Sequence, residues 1–304
     1  MSSTLISVAL PLTLAAIMFG LGLSLTGADF VRIFRNPYAA LVALACQLLV
    51  LPTLAAGLIL LFKLPPLLAI GMMLLAASPG GSTANLYSHL FRGDVALNVS
   101  LTAINSVVAV VTVPLLTNFA VWFFYRPASD AEVVGLQFGK IIQVFALVLI
   151  PVFVGMAVRR LSASFAAKMD RPVRVGSIVV VVVVVLGAIA VERANLIGYA
   201  ADIGIVAALF CLMSLSLGYV VPRMLGIDGR QSISCAMEVG IHNGTLAITI
   251  AVSVLGNTEM AIPAAVYSIL MYPIAAAFGW VIVARPRRRP VLENGKAAIA
   301  PETR

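Results

Sequence analysis

The sequence predicts an all-α polytopic membrane protein of nine transmembrane helices, arranged as an inverted-topology repeat with two discontinuous helices. Three observations carry this expectation. Hydrophobic residues make up 62% of the 304 residues and charged ones 11%, against roughly 45–50% and 25% in soluble domains. The apolar residues fall in runs close to or longer than the roughly 20 residues a helix needs to cross a bilayer. Two of those runs are interrupted, at Ser78-Pro79-Gly80-Gly81-Ser82-Thr83-Ala84-Asn85 and at Met237-Glu238-Val239-Gly240-Ile241-His242-Asn243-Gly244.

The runs lie at about 5–27, 37–62, 65–91, 95–125, 134–158, 173–191, 198–222, 231–254 and 260–284. The first has no positive n-region before it and is too long for a signal-peptide h-region, so it is predicted to be a retained helix. The second carries Gln47 beside Cys46 in an otherwise apolar stretch. The third holds the first interruption. The fourth presents Asn98, Thr102 and Asn105, spaced four and three apart and so on one helix face. After the fifth comes the most basic connection, from Arg159 to Arg174. The sixth contains a nearly unbroken valine run, Ile178 to Leu186, with no polar face, and reads as a lipid-facing or scaffold helix. A loop carrying Arg193 separates it from the seventh. The eighth holds the second interruption. Residues 1–284 form the membrane domain; 285–304 form a basic and polar tail, predicted disordered, whose arginines anchor the last helix to anionic lipid.

The net charge of +8 invites a nucleic-acid partner, but its distribution argues otherwise. With nine alternating spans, sixteen of the twenty basic residues fall on one side, leaving Lys63, Arg126, Lys140 and Arg193 on the other. Positive loops face the cytoplasm, so the N-terminus is predicted outside the cell (inner) membrane and the C-terminus inside. Membrane lipids are the expected partner of this charge, and no nucleic acid is. Three cysteines, Cys46, Cys211 and Cys235, lie in apolar runs and read as buried thiols. Oligomeric state has no sequence signature here.

The interruptions occupy the third and eighth spans. An offset of five spans reverses orientation, as in an inverted repeat. Nine spans then read as a five-helix unit duplicated with its first helix missing. Backbone freed at membrane depth is tolerated only where protein or a wet cavity satisfies it, and paired breaks are the sequence mark of a carrier's binding site. Glu238 sharpens the expectation, because a carboxylate within a span is costly and usually kept for ions, protons or pairing. Beside unwound backbone it suits a desolvated monovalent cation with hard oxygen ligands. The helix restarting near Ser82 and Thr83 aims amide groups toward the break, as a site for an anion requires. Asp29, Asp94 and Asp202 fall at span ends and are predicted solvated or capping; Trp122 and Trp280 fit an aromatic belt. No Ser/His pair at membrane depth, metal-ligand set or nucleotide loop points to an intramembrane enzyme, and the tail is too short for a receptor's signalling domain.

Pro79-Gly80-Gly81-Ser82-Thr83-Ala84-Asn85, the following Arg92-Gly93-Asp94-Val95-Ala96-Leu97, and Glu238-Val239-Gly240-Ile241-His242-Asn243-Gly244 resemble the bile acid:sodium symporter family, as does Met18-Phe19-Gly20-Leu21-Gly22 near the start. The likeness runs from about residue 8 to 283. It implies a core domain (spans 2–4 and 7–9) holding two crossed broken helices and a panel domain (spans 1, 5 and 6), moving against each other in alternating access. The nine-helix form lacks the first helix of the ten-helix type. The resemblance implies one sodium site of Asn85, Asn98, Thr102 and Glu238, and a second of Gln47, Glu238 and His242 with the carbonyls of Val239 and Ile241. It places an organic anion by Ser82, Thr83 and Asn243. Sodium is the coupling ion and no other cofactor is implied. Ala84 and Asn98 stand where serine ligands are common, and His242 where a glutamine is. Met271-Tyr272 replaces a His-Asn pair near substrate. The implied activity is sodium-driven import of a bile-acid-like or small carboxylate anion. The alternative is a proton-coupled or efflux carrier on the same scaffold, with a proton at the second site.

Overall fold

The computed structural model describes residues 37–81, 83–124 and 138–284, with isolated positions between 12 and 31. The described chain is helical apart from turns and one isolated antiparallel bridge. Helix α1 (Pro37–Ala45) passes through a π-turn at Cys46–Val50 into α2 (Leu51–Phe62). Lys63 then adopts a left-handed conformation (φ 50°), ending the helix in the usual way, and Pro66 opens α3 (Pro66–Ala77) at its first position. Ten consecutive α3 residues, Leu68 to Ala77, are buried, as befits a helix apolar on every face. Then follow α4 (Thr83–Leu90), α5 (Val95–Phe124), α6 (Phe138–Leu161), α7 (Ala163–Met224), α8 (Gly229–Gly240) and α9 (Gly244–Thr249). A π-turn at Ile250–Val254, a 3-10 turn at Glu259–Ala261 and α10 (Ile262–Ala284) complete the described chain.

Among the described residues, four stretches are long and apolar enough to cross a membrane: Pro37–Phe62, Val95–Phe124, Ile203–Met224 and Glu259–Ala284. They fall on the runs expected at 37–62, 95–125, 198–222 and 260–284. The expected first span lies almost wholly outside the described residues, as does the tail from 285.

Two connections differ from expectation. The loop bearing Arg193 is absent, and α7 is continuous across it. Residues 188–197 contain neither glycine nor proline, so nothing local stops the helix. The basic segment from Arg159 to Arg174 is likewise helical except at Ser162, whose hydroxyl caps α7 by accepting from Phe165 N. Basic side chains mark a membrane surface, but they do not end a helix.

Helix α3 packs against α2, α5 and α10; α8 packs against α4, α5 and α7; α7 also packs against α10. Close approach needs small residues. At Gly71, for example, a Cβ would overlap the Met260 carbonyl. The Asp94 carboxylate accepts from Leu97 N (3.1 Å) and caps α5. Its amide donates to Arg230 O (3.1 Å) and its carbonyl accepts from Ser234 Oγ (2.8 Å), tying the start of α5 to α8.

Candidate cation site at the helix crossing

The chain leaves α3 at Ser78 in an extended conformation (φ −70°, ψ 144°), the geometry a residue before proline prefers. It leaves α8 at Ile241, also extended (φ −112°, ψ 91°). The two breaks then meet. Gly80 and His242 form an antiparallel bridge, in which Gly81 N donates to Ile241 O (2.7 Å) and Asn243 N donates to Pro79 O (2.8 Å). Each interruption therefore satisfies backbone that the other frees, meeting the requirement for irregular chain away from water. Asn243 restarts the second helix by accepting from Leu246 N with its side-chain oxygen (3.1 Å).

On one side of this crossing lies Glu238, fully buried. Thr102 Oγ1 donates to its Oε2 (2.5 Å), Asn98 Nδ2 to the same oxygen (3.3 Å), and Asn105 Nδ2 to Oε1 (2.8 Å). All three donors are neutral and come from one face of α5. Hydrogen bonds to a charged group contribute about 1.5–3 kcal/mol each and offset part of the desolvation of the carboxylate. Gly80 presses on the carboxylate so closely that a Cβ there would overlap it, so the close approach requires glycine. The side-chain oxygens of Asn98, Asn105 and Asn85 are buried without any hydrogen-bond partner. Such orphaned acceptors are costly, and they are the hard oxygen donors that a desolvated alkali cation takes.

On the other side, the freed Ser78 carbonyl collects donors. Gln47, buried in the π-turn between α1 and α2, donates from Nε2 (2.9 Å). His242 Nδ1 lies 3.3 Å from the same oxygen. A carbonyl can only accept, so Nδ1 carries a proton, and in the neutral ring Nε2 then bears the lone pair. The imidazole is fixed between Phe210 (stacked, 5.5 Å) and Tyr267 (edge-on, 5.4 Å). Tyr267 Oη donates to Gly240 O (2.7 Å), and Cys211 Sγ lies 3.9 Å from that carbonyl. Gln47 Oε1 and His242 Nε2 have no partner.

The structure thus brings together Asn98, Thr102 and Glu238. Asn85 is half-buried with its oxygen unpartnered. Gln47 and His242 meet each other at the Ser78 carbonyl. Val239 and Ile241 are buried in the crossing, with the Ile241 carbonyl taken by Gly81. Thr83 opens α4 and Asn243 caps α9, both half-buried; Ser82 lies outside the described residues. Sequence reasoning placed Asn105 on the right face without assigning it to Glu238, and passed over Ser78 and Gly80. The signal for Ser78 was its position before Pro79, where the backbone turns extended and the residue's own carbonyl leaves the helical ladder. Trp122 and Trp280 both point outward, 73% and 69% exposed.

Four apolar stretches long enough to span among the described residues, with two further, broken helices paired beside a buried carboxylate, define a membrane carrier of the broken-helix class. The model of the sodium bile acid symporter family matches residues 11–199, and the chain belongs to that family. An uncharacterized sodium-dependent transporter of Bacillus subtilis is 28% identical over 88% of this chain and 80% of its own length. A protein named as a probable chloroplastic sodium/metabolite cotransporter of Arabidopsis thaliana is 30% identical over 83% of this chain, which spans 61% of that relative. The human ileal sodium/bile acid cotransporter is 25% identical over 91% of this chain and 79% of its own. The protein is accordingly a sodium-coupled membrane transporter and not an enzyme.

Proposed function

We propose that the protein imports an organic anion down the sodium gradient by alternating access, with Glu238 as the central sodium ligand. The observation that carries this reading is the set of buried amide oxygens without partners around a buried carboxylate. Thr102 Oγ1 and the side-chain oxygens of Asn98 and Asn105 complete the sodium shell, with Asn85 adding its oxygen from α4. A half-turn about the last torsion of an asparagine exchanges donor for acceptor. The same residues can therefore serve the carboxylate alone or a cation bound to it.

The substrate carboxylate or sulfonate lies at the restart of α4, near Ser82 and Thr83, with Asn243 across the crossing. The positive end of the α4 dipole favours an anion there. The paired breaks of α3–α4 and α8–α9 lie in the moving part of the carrier, in a cell membrane.

The test needs no knowledge of the substrate. Thermal unfolding of the purified protein is compared in sodium, potassium and choline, with Glu238→Gln alongside. A saturable stabilisation specific to sodium and absent from the variant is expected. A response to pH with none to sodium would replace this reading with a proton-coupled carrier.

A further inference from the structure

We propose that this chain binds one sodium ion and not two, because protein donors, with His242 foremost, occupy the place at the Ser78 carbonyl that a second ion would need. The inference rests on the sodium site proposed at Glu238. A cation site needs several oxygens whose lone pairs are free to converge on one point. On the Ser78 side of the crossing three backbone oxygens already accept hydrogen bonds, and Ser78 O faces two donors. Ile241 O accepts from Gly81 N (2.7 Å). Ser78 O accepts from Gln47 Nε2 (2.9 Å) and faces the His242 Nδ1 proton (3.3 Å). Gly240 O accepts from Tyr267 Oη (2.7 Å). Both oxygens of Glu238 are turned toward the α5 donors.

Two side-chain acceptors there have no partner, Gln47 Oε1 and His242 Nε2. One is a single hard oxygen. The other is an imidazole nitrogen, a ligand suited to zinc, copper and iron rather than to hard cations. The ring cannot readily turn away, because Phe210 stacks on one face and Tyr267 meets it edge-on. A neutral N–H dipole thus satisfies a carbonyl freed by the helix break, which elsewhere an ion could do. One fixed donor replaces one mobile charge, so each cycle with a monovalent anion moves no net charge.

The experiment is equilibrium binding of radioactive sodium to the full-length detergent-purified protein, with ions per folded chain and the Hill slope as readouts. One ion and a slope of one are expected for the wild type, and none for Glu238→Gln. His242→Gln, which removes the fixed ring and offers an amide oxygen, should raise the count to two with a slope above one. His242→Asn serves if that variant does not fold. Two ions on the wild type would overturn the inference and leave the proposed transport intact. One ion on the folded His242 variants would remove His242 as the cause and overturn it also. No sodium binding on folded wild type would overturn both this inference and the function it rests on.

Discussion

At the Glu238 side of the crossing, a carboxylate gathers three neutral donors from α5, and the two amides among them keep an unpartnered oxygen. At the Ser78 side, a backbone carbonyl gathers two donors, and the ring that supplies one of them is clamped by aromatics. Both sides are buried, both adjoin a helix break, and both consist of neutral polar groups around one strong acceptor. They differ in what is left over. The first retains surplus oxygen and negative charge; the second retains one oxygen and one nitrogen. Polarity at membrane depth therefore does not by itself make an ion site; the balance of unengaged acceptors does.

The comparison breaks most readily at its charge. Glu238→Gln keeps the shape of the side chain and removes the anion. At a hundredfold excess of sodium over Kd the wild type should gain about 2.7 kcal/mol, and the variant nothing, read as the difference in unfolding temperature between sodium and potassium. A next smaller effect is expected from Gly80→Ala. Its Cβ overlaps the carboxylate, so stability in potassium should fall by about 1–3 kcal/mol, and the sodium increment should shrink with it. If stability fell and the increment stayed whole, the glycine would serve the crossing alone.

Asn105→Ala removes a donor to Oε1 and an orphaned oxygen in one change. Sodium affinity should weaken about tenfold, measured by titrating the thermal shift with sodium, and an unchanged midpoint would place Asn105 outside the shell. The smallest effect tests the far side. Tyr267→Phe deletes the donor to Gly240 O at about 1 kcal/mol, and the sodium response should remain whole. A lost response would mean that the two sides act as one site.

Much of this arrangement was legible in the chain. Pro79-Gly80-Gly81 and Gly240 with Gly244 mark the breaks because proline and glycine end helices at any depth. Glu238 announces itself as a charge in an apolar run, and the spacing of Asn98, Thr102 and Asn105 fixes a common face. What stayed hidden depends on contacts across the chain. The pairing of Pro79 with Asn243 and of Gly81 with Ile241 involves backbone atoms, which every residue carries alike. The π-turn that brings Gln47 to Ser78 leaves no mark in Cys46–Val50, and a helix carried through Arg193 shows that a charge between two apolar runs does not mark a turn.

The pairing of the two breaks also bears on how the protein is made. The ribosome delivers residues 78–81 long before residues 241–243. Until the second break arrives, Pro79 O and Gly81 N have no partners at membrane depth, and Ser78 O lacks the imidazole. The nascent first half must therefore wait at the translocon, in water, or with a borrowed partner. Any truncation that removes α8 leaves the broken helix α3–α4 without its partner break, a state that quality-control proteases should recognise.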